Sequence, residues 1–279
     1  MGVLAVDLTA YGVVMSADSQ PVEIVDGETR VEDSAERRVR SPIIQRAAGG
    51  FVGLIGFAGT ERVEGIGTSE WLRRFNRQAP NDELESFCKR LAETLSEVWQ
   101  RDGLTSVLEI LVTGEIDGEV QFWFVRNSQG LRPDGTHKAR ADAFKAQDDL
   151  NAYLELDGLP GEGKTELVTR RPRPYSFWQG VLVPSSLVFD AFSHLLGTLV
   201  GGGVKGFDPI ESLDGVGQFA RVRMEFLKRL CSPKHGIYSK NTPTPIDGDV
   251  HVYGVGLDGR ICEYLKHSNQ VKTLRDGRG

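Results

Sequence analysis

The chain opens MGVLAVDLTAYGVVMSADSQ, and this stretch limits the possible folds more than any other. Residues 3–8 (VLAVDL) and 12–17 (GVVMSA) are rich in aliphatic and β-branched side chains, and Ala10-Tyr11-Gly12 between them can serve as a short hairpin connection. Two antiparallel strands therefore stand at the very start, and a carboxylate, Asp18, closes the second. A soluble chain that begins with a strand raises the question of whether its N-terminus is the working part.

The elements that follow are grouped by type. A polar stretch, 26–42, runs through ERRVRSP, and GGFVGLIGFAG (49–59) then reads as a buried strand with close neighbours. A helix is predicted at 68–78 around Trp71, Leu72 and Phe75. The clearest helix covers 81–101, where Leu84, Phe87, Cys88, Leu91, Leu95, Val98 and Trp99 form one apolar stripe. Asp82 followed by Glu85, just after Pro80, predicts a capping pattern at its start. A second hairpin follows, VLEILVTG and EVQFWFV around Glu115-Ile116-Asp117-Gly118.

Residues 131–180 read as an irregular insertion, polar at first and then rich in Pro and Arg (TRRPRPYSFWQG), a mixture of residue types that also occurs at interfaces. Helical patterns return at 188–200 and 217–231, the latter with Phe219, Val222, Phe226, Leu227 and Leu230 assigned to one face. Strands at 249–257 and 261–266 close the chain around Asp258-Gly259, and QVKTLRDGRG reads as a loose tail. Strands, helices, strands, helices, strands is the order of an α+β fold, expected as one domain over 1–267 with an insertion at about 131–184 and a flexible tail at 268–279.

Composition excludes several function classes. Hydrophobic residues at 39% and charged residues at 26% are ordinary globular usage in a chain of 279 residues, long enough to bury a sizeable core. A net charge of −6 argues against a general nucleic-acid surface, which needs clustered Lys and Arg. Cys88, Cys231 and Cys262 are far apart and odd in number, with no CxxC pair and no neighbouring His, so neither a zinc site nor a disulfide framework is suggested and no cofactor or metal is expected. The longest apolar runs fall short of a membrane span, and Asp7 and Asp18 interrupt the first twenty residues. A cytoplasmic chain with no membrane partner and no cleaved leader is expected.

One motif matches by letter alone. GLPGEGKT at 158–165 fits the phosphate-loop pattern, with Gly163, Lys164 and Thr165 as its binding residues, but Pro172 and Pro174 leave no room for the helix that must follow. A glycine-rich turn is the reading preferred, with nucleotide binding as an alternative.

Three separated stretches resemble one family. VLAVDLTAYGVVMSADS looks like the start of a proteasome-type β subunit, SVLEILVTGEIDGEVQFWFV its central hairpin, and PIDGDVHVYGVGLDGRI its closing strands. The resemblance covers roughly 3–130 and 185–262 and points to a bacterial proteasome-like or HslV-like protein of the N-terminal nucleophile hydrolase superfamily. It implies a four-layer αββα sandwich and assembly into rings or stacks, a homo-oligomer with a possible protein partner. In that superfamily the first residue of the mature chain supplies the nucleophile and its own α-amino group takes the proton, tuned by a nearby Lys and Asp.

Here Asp18 matches the family aspartate, Met1 and Gly2 occupy the nucleophile's place, and the lysine position falls most plausibly at Arg38. Glycine has no side chain to attack with, and an arginine stays protonated where a lysine could transfer a proton. The resemblance therefore implies a noncatalytic subunit with a structural or regulatory role. The alternative is a threonine peptidase or amide hydrolase exposed by processing. Thr9, Ser16 and Thr105-Ser106 are the hydroxyls considered, each at the cost of an element of the fold. His137, His194, His235, His251 and His267 share no motif and build no triad.

Overall fold

The computed structural model describes residues 4–18, 22–25, 28–31, 43–46, 52–60, 62–78, 83–116, 119–131, 137–139, 143–147, 175–179, 191–192, 194–196, 198–199, 210–231, 249–264 and 271–275. The chain gathers into two compact units, one formed by residues 1–42 and 165–279, the other by residues 43–164.

The first unit holds a six-stranded antiparallel sheet. Its strands are β1 (Leu4–Thr9), β2 (Gly12–Asp18), β14 (Tyr175–Gln179), β15 (Val250–Gly256), β16 (Ile261–Tyr264) and β17 (Val271–Arg275), in the order β14-β1-β2-β15-β16-β17. The opening hairpin forms as the sequence predicts, with Leu4 opposite Ala17 and Thr9 opposite Gly12. Thr9 tightens the turn, since its hydroxyl donates to the Gly12 carbonyl (3.0 Å) and accepts the Tyr11 N–H (3.1 Å). Gly12 is required by conformation and by space. Its φ is +129°, and a Cβ there would stand 2.1 Å from the Val255 carbonyl oxygen on β15.

A helix, α3 (Leu213–Cys231), covers one face of this sheet and packs Val216, Ala220, Met224 and Leu227 against Ala5, Val14, Val252 and Tyr264. Gly217 allows the close approach, because a Cβ there would lie 2.3 Å from the Tyr264 ring. The face predicted from the sequence is corrected. Leu227 is buried as expected, but Val222 is 60% exposed and Phe226 46%. The reason is that the buried side of α3 carries two arginines, Arg221 and Arg223, so a reading by apolar residues alone turns the helix the wrong way.

Several strands arise where irregular chain is expected, two of them in this sheet. Within the supposed insertion, β14 pairs with β1, Val6 opposite Phe177. In the supposed tail, β17 pairs with β16, Tyr264 opposite Val271. Both are short edge strands that become strands only through pairing, β14 with a neighbour remote in sequence and β17 with nearby β16, so local composition understates them.

The second unit is a five-stranded antiparallel sheet of β5 (Ile43–Arg46), β6 (Val52–Gly59), β9 (Leu108–Ile116), β10 (Glu119–Arg126) and β13 (Lys145–Gln147), in the order β13-β10-β9-β6-β5. Helices α1 (Thr68–Gln78) and α2 (Leu84–Asp102) bury the stripes that their spacing predicts, including Trp71, Leu72, Phe75, Leu91, Leu95 and Trp99. Cys88 is wholly buried among them, a core residue as expected. The start of α2 differs from expectation, for its N-cap is Glu83 and makes no side-chain capping bond. Its end is Gly103 in the left-handed region (φ 63°), where the Leu104 N–H reaches the Trp99 carbonyl at 3.0 Å. Asn127 fastens the following strand, accepting the Leu108 N–H and donating to Ser106 O, both at 2.9 Å.

Small two-stranded ribbons complete the described elements: β3 (Val22–Val25) with β4 (Glu28–Val31), β7 (Arg62–Val63) with β8 (Ile66–Gly67), and β11 (Ser128–Leu131) with β12 (His137–Ala139). Antiparallel sheets faced by helices fit the α+β class. Among the described residues no helix is long and apolar enough to cross a membrane.

Replacement of Gly12 by alanine drives a methyl group into β15 at an unfavourable φ. The expected outcome is a loss of more than about 1 kcal/mol of stability, read from urea unfolding followed by circular dichroism.

Candidate functional site

Asp18 is the last residue of β2 and is 1% exposed. The register sets Asp18 opposite Val250, Ala17 opposite His251 and Ser16 opposite Val252 on β15. Side chains alternate along a strand, so Ser16 and Asp18 share the face of Val14, which packs under α3. The other sequence-predicted site residues, Met1, Gly2 and Arg38, lie outside the described residues, as do Gly163, Lys164 and Thr165 of the phosphate-loop pattern.

The strongest charge arrangement in this unit is one that motif reading does not find. Asp7 on β1 and Arg223 on α3 are both wholly buried, and the guanidinium meets the carboxylate with two parallel bonds, Nη1 to Oδ1 at 2.8 Å and Nη2 to Oδ2 at 2.6 Å. This bidentate geometry is the strong form of the ion pair. Arg221 extends the polar set. Its Nε donates to the Tyr264 carbonyl at 2.8 Å, and both Nη atoms donate to the Val250 carbonyl at 3.1 Å. Burial holds the Arg221 guanidinium below its ordinary pKa and pushes the Tyr264 phenol well above its own. The Tyr264 hydroxyl lies 3.3 Å from the Leu213 carbonyl and from Asp214 Oδ1.

Such a set orients and neutralises, but it does not move protons. A guanidinium stays charged at working pH, and a phenol displaced upward stays neutral. The signal for it was present in the sequence as an acid inside an apolar strand, VLAVDL, and two arginines spaced by one residue in FARVRMEF.

The candidate hydroxyls are held elsewhere. Thr9 is 2% exposed with its hydroxyl committed to the hairpin turn, and Ser16 is wholly buried in the middle of β2. Thr105 and Ser106 lie between α2 and β9, where the Ser106 carbonyl accepts the Trp99 indole N–H at 3.0 Å. Of the histidines, His194 is exposed on a helical segment, His137 lies in β12, and His235 and His267 fall outside the described residues. His251 on β15 is partly buried, its Nε2 makes no hydrogen bond among the described residues, and desolvation holds its pKa below the ordinary 6.5. Among the described residues no group of three or more His, Cys, Asp or Glu stands close enough to hold a metal ion.

Comparison with known proteins yields a likeness of fold. A solved structure of the Gly-1 mutant of Anbu from Hyphomicrobium sp. strain MC1 aligns with 98% of this chain and 87% of its own, at a TM-score of 0.51 and 11% identity. No family model matches the sequence, and no curated protein matches it. Membership of the proteasome β-subunit or HslV-like family, implied by three stretches of sequence, is therefore corrected: at 11% identity the likeness carries architecture alone. The stretches that prompted it are strand and hairpin patterns, which many sequences satisfy once the fold is set.

Two outcomes are expected at this site. Asp7→Ala or Arg223→Met alone leaves one buried charge uncompensated and costs about 3–5 kcal/mol, whereas the double variant recovers much of that loss; a double-mutant cycle by urea unfolding measures the coupling. His251 binds a proton less readily in the folded chain than in the unfolded one. Its contribution is therefore fully present above pH 6.5 and is lost as pH falls below that value, and His251→Gln flattens the acid limb of a stability-versus-pH curve.

Proposed function

We propose that this chain is a noncatalytic subunit of an oligomeric assembly, with a structural or regulatory role, built on a proteasome-like fold. A likeness to Anbu over 98% of the chain supports the architecture, and a four-layer αββα sandwich is part of the reading. A cytoplasmic setting and a homo-oligomer complete it. Cys88 and Cys262 are buried and in no disulfide, which is consistent with a reducing compartment.

The observation that carries the proposal is the placement of the hydroxyls. Thr9 and Ser16 lie in β1 and β2, and each of those strands is hydrogen-bonded on both sides, β1 to β14 and β2, β2 to β1 and β15. To make Ser16 a terminal nucleophile, cleavage would remove β1, and with it Asp7, the carboxylate that balances buried Arg223. Stranding such a charge costs about 3–5 kcal/mol before the lost strand is considered. Cleavage before Thr105 would take away α1, α2 and β6, most of the second unit's core. Gly2, at the position that matches the nucleophile, offers no hydroxyl or thiol. In this reading Asp18 and Arg38 carry charge without a proton-transfer role.

The test is the intact mass of the purified protein before and after incubation with a β-lactone or epoxyketone probe. The expected result is a chain of full mass, or one lacking only Met1, that gains no adduct. A shortened chain beginning with Thr, Ser or Cys that gains one probe mass would make the protein an N-terminal nucleophile hydrolase and overturn the proposal.

A further inference from the structure

A short ribbon in the second unit carries a glutamate in a backbone conformation that glutamate avoids. β7 and β8 pair Val63 with Ile66 and Arg62 with Gly67, and the two residues at the turn, Glu64 and Gly65, have φ of 53° and 76°. Turns of this hand take Asn, Asp or Gly at the first of these places. Among the described residues Glu64 is the only non-glycine with positive φ. Strain of this kind persists where the surroundings hold it, and it points to a use for the side chain.

The contacts of Glu64 show what that use is. Its Oε2 accepts the Trp71 indole N–H at 2.6 Å, near the start of α1, and its Oε1 accepts Arg101 Nη2 at 2.7 Å, in the last turn of α2. Asp102 holds the same guanidinium, with Oδ1 2.8 Å from Nε and Oδ2 3.2 Å from Nη2, so Arg101 is already oriented for the ribbon. The base of the ribbon is fastened separately. The Thr68 hydroxyl donates to the Thr60 carbonyl at 2.7 Å, and the Thr60 N–H and hydroxyl both reach the Val107 carbonyl, at 2.9 and 3.0 Å. Beneath the ribbon Val63 is wholly buried in the unit's core, whereas Arg62, Glu64, Gly65 and Gly67 are exposed. A segment fixed at its base and clipped at its tip opens when the clip lets go.

That clip is titratable. The Trp71 indole and the Arg101 guanidinium hold the Glu64 carboxyl below its ordinary 4.5. Arg101 and Asp102 are the charged groups that face it from α2, α1 contributes the neutral indole, and Arg62 on the ribbon itself donates to the Gly65 carbonyl at 3.2 Å. The contribution of the clip is therefore fully present above pH 4.5 and is lost as pH falls through the lower value of the closed form.

We propose that the β7–β8 ribbon is a strap against the start of α1 and the end of α2, latched by the Glu64 carboxylate and released by its protonation, so that acid uncovers Val63 while the rest of the unit stays folded. The strap lies within the second unit and is independent of the oligomeric reading.

Amide hydrogen exchange of the full chain, read by mass spectrometry and expressed as protection against the unfolded rate at each pH, provides the test. Peptides covering 62–67 in the parent are expected to be protected at pH 6 and to lose about fivefold of that protection by pH 3, while peptides covering 84–102 and 108–116 hold theirs. Glu64→Gln keeps the shape and loses the charge, and is expected to start about fivefold lower at pH 6 and to show no further acid response. Arg101→Met, which removes the cation and leaves Glu64 in place, is expected to lower protection of 62–67 at pH 6 to the same degree. A ribbon that exchanges only with α2 and β9, or one unprotected in the parent at pH 6, overturns the strap. An acid response that survives Glu64→Gln overturns Glu64 as its latch.

Discussion

One buried ion pair, Asp7 with Arg223, governs how the first unit is put together. Each charge taken alone out of water would cost several kcal/mol, and bidentate geometry in a dry site offsets that cost only while the two groups face each other. The pair therefore pins α3 in both position and rotation, because a helix turned by one residue, about 100°, would swing the guanidinium away from its carboxylate. Around the axis Arg223 and Arg221 flank the apolar stripe of Val216, Ala220, Met224 and Leu227, and Arg221 binds backbone carbonyls of β15 and β16. The rotation that satisfies both arginines leaves Val222 and Phe226 on the outside. An exposed apolar surface is thus a consequence of burying a charge.

The same arrangement bears on chemistry. Thr9 and Ser16, two of the hydroxyls that trimming would have to expose, come from strands in the interior of a sheet, one of which holds the carboxylate for Arg223. Fold does not confer activity, and the polar groups buried under α3 include a carboxylate, two guanidiniums and a neutral phenol fixed in hydrogen bonds. They serve to fix geometry, and burial holds His251 on β15 toward its neutral form.

Much of the fold was legible along the chain because its signals are local. The stripe from Leu84 to Trp99 repeats at helical spacing whatever surrounds it, and the hairpin from Leu4 to Asp18 combines two β-rich runs with a glycine that alone tolerates φ +129°. The edge strands β14 and β17 were not legible, since YSFWQ sits among prolines and arginines and VKTLR among charges, and β14 becomes a strand only against β1, with Phe177 opposite Val6, and β17 only against β16. Of the candidate site, Asp18 was found at the end of β2 as read, whereas the Asp7–Arg223 pair was missed. Its members are 216 positions apart, and no local pattern links them.

By itself the sequence determined which segments are strands and helices wherever periodicity or a turn residue acts over a few neighbours. Tertiary structure alone decided which side of α3 faces inward. Hydrophobicity ranks Val222 and Phe226 above two arginines for burial, but a carboxylate already committed to the core at Asp7 makes Arg223 the residue that must follow it, because an unpaired charge costs more than an exposed valine and phenylalanine.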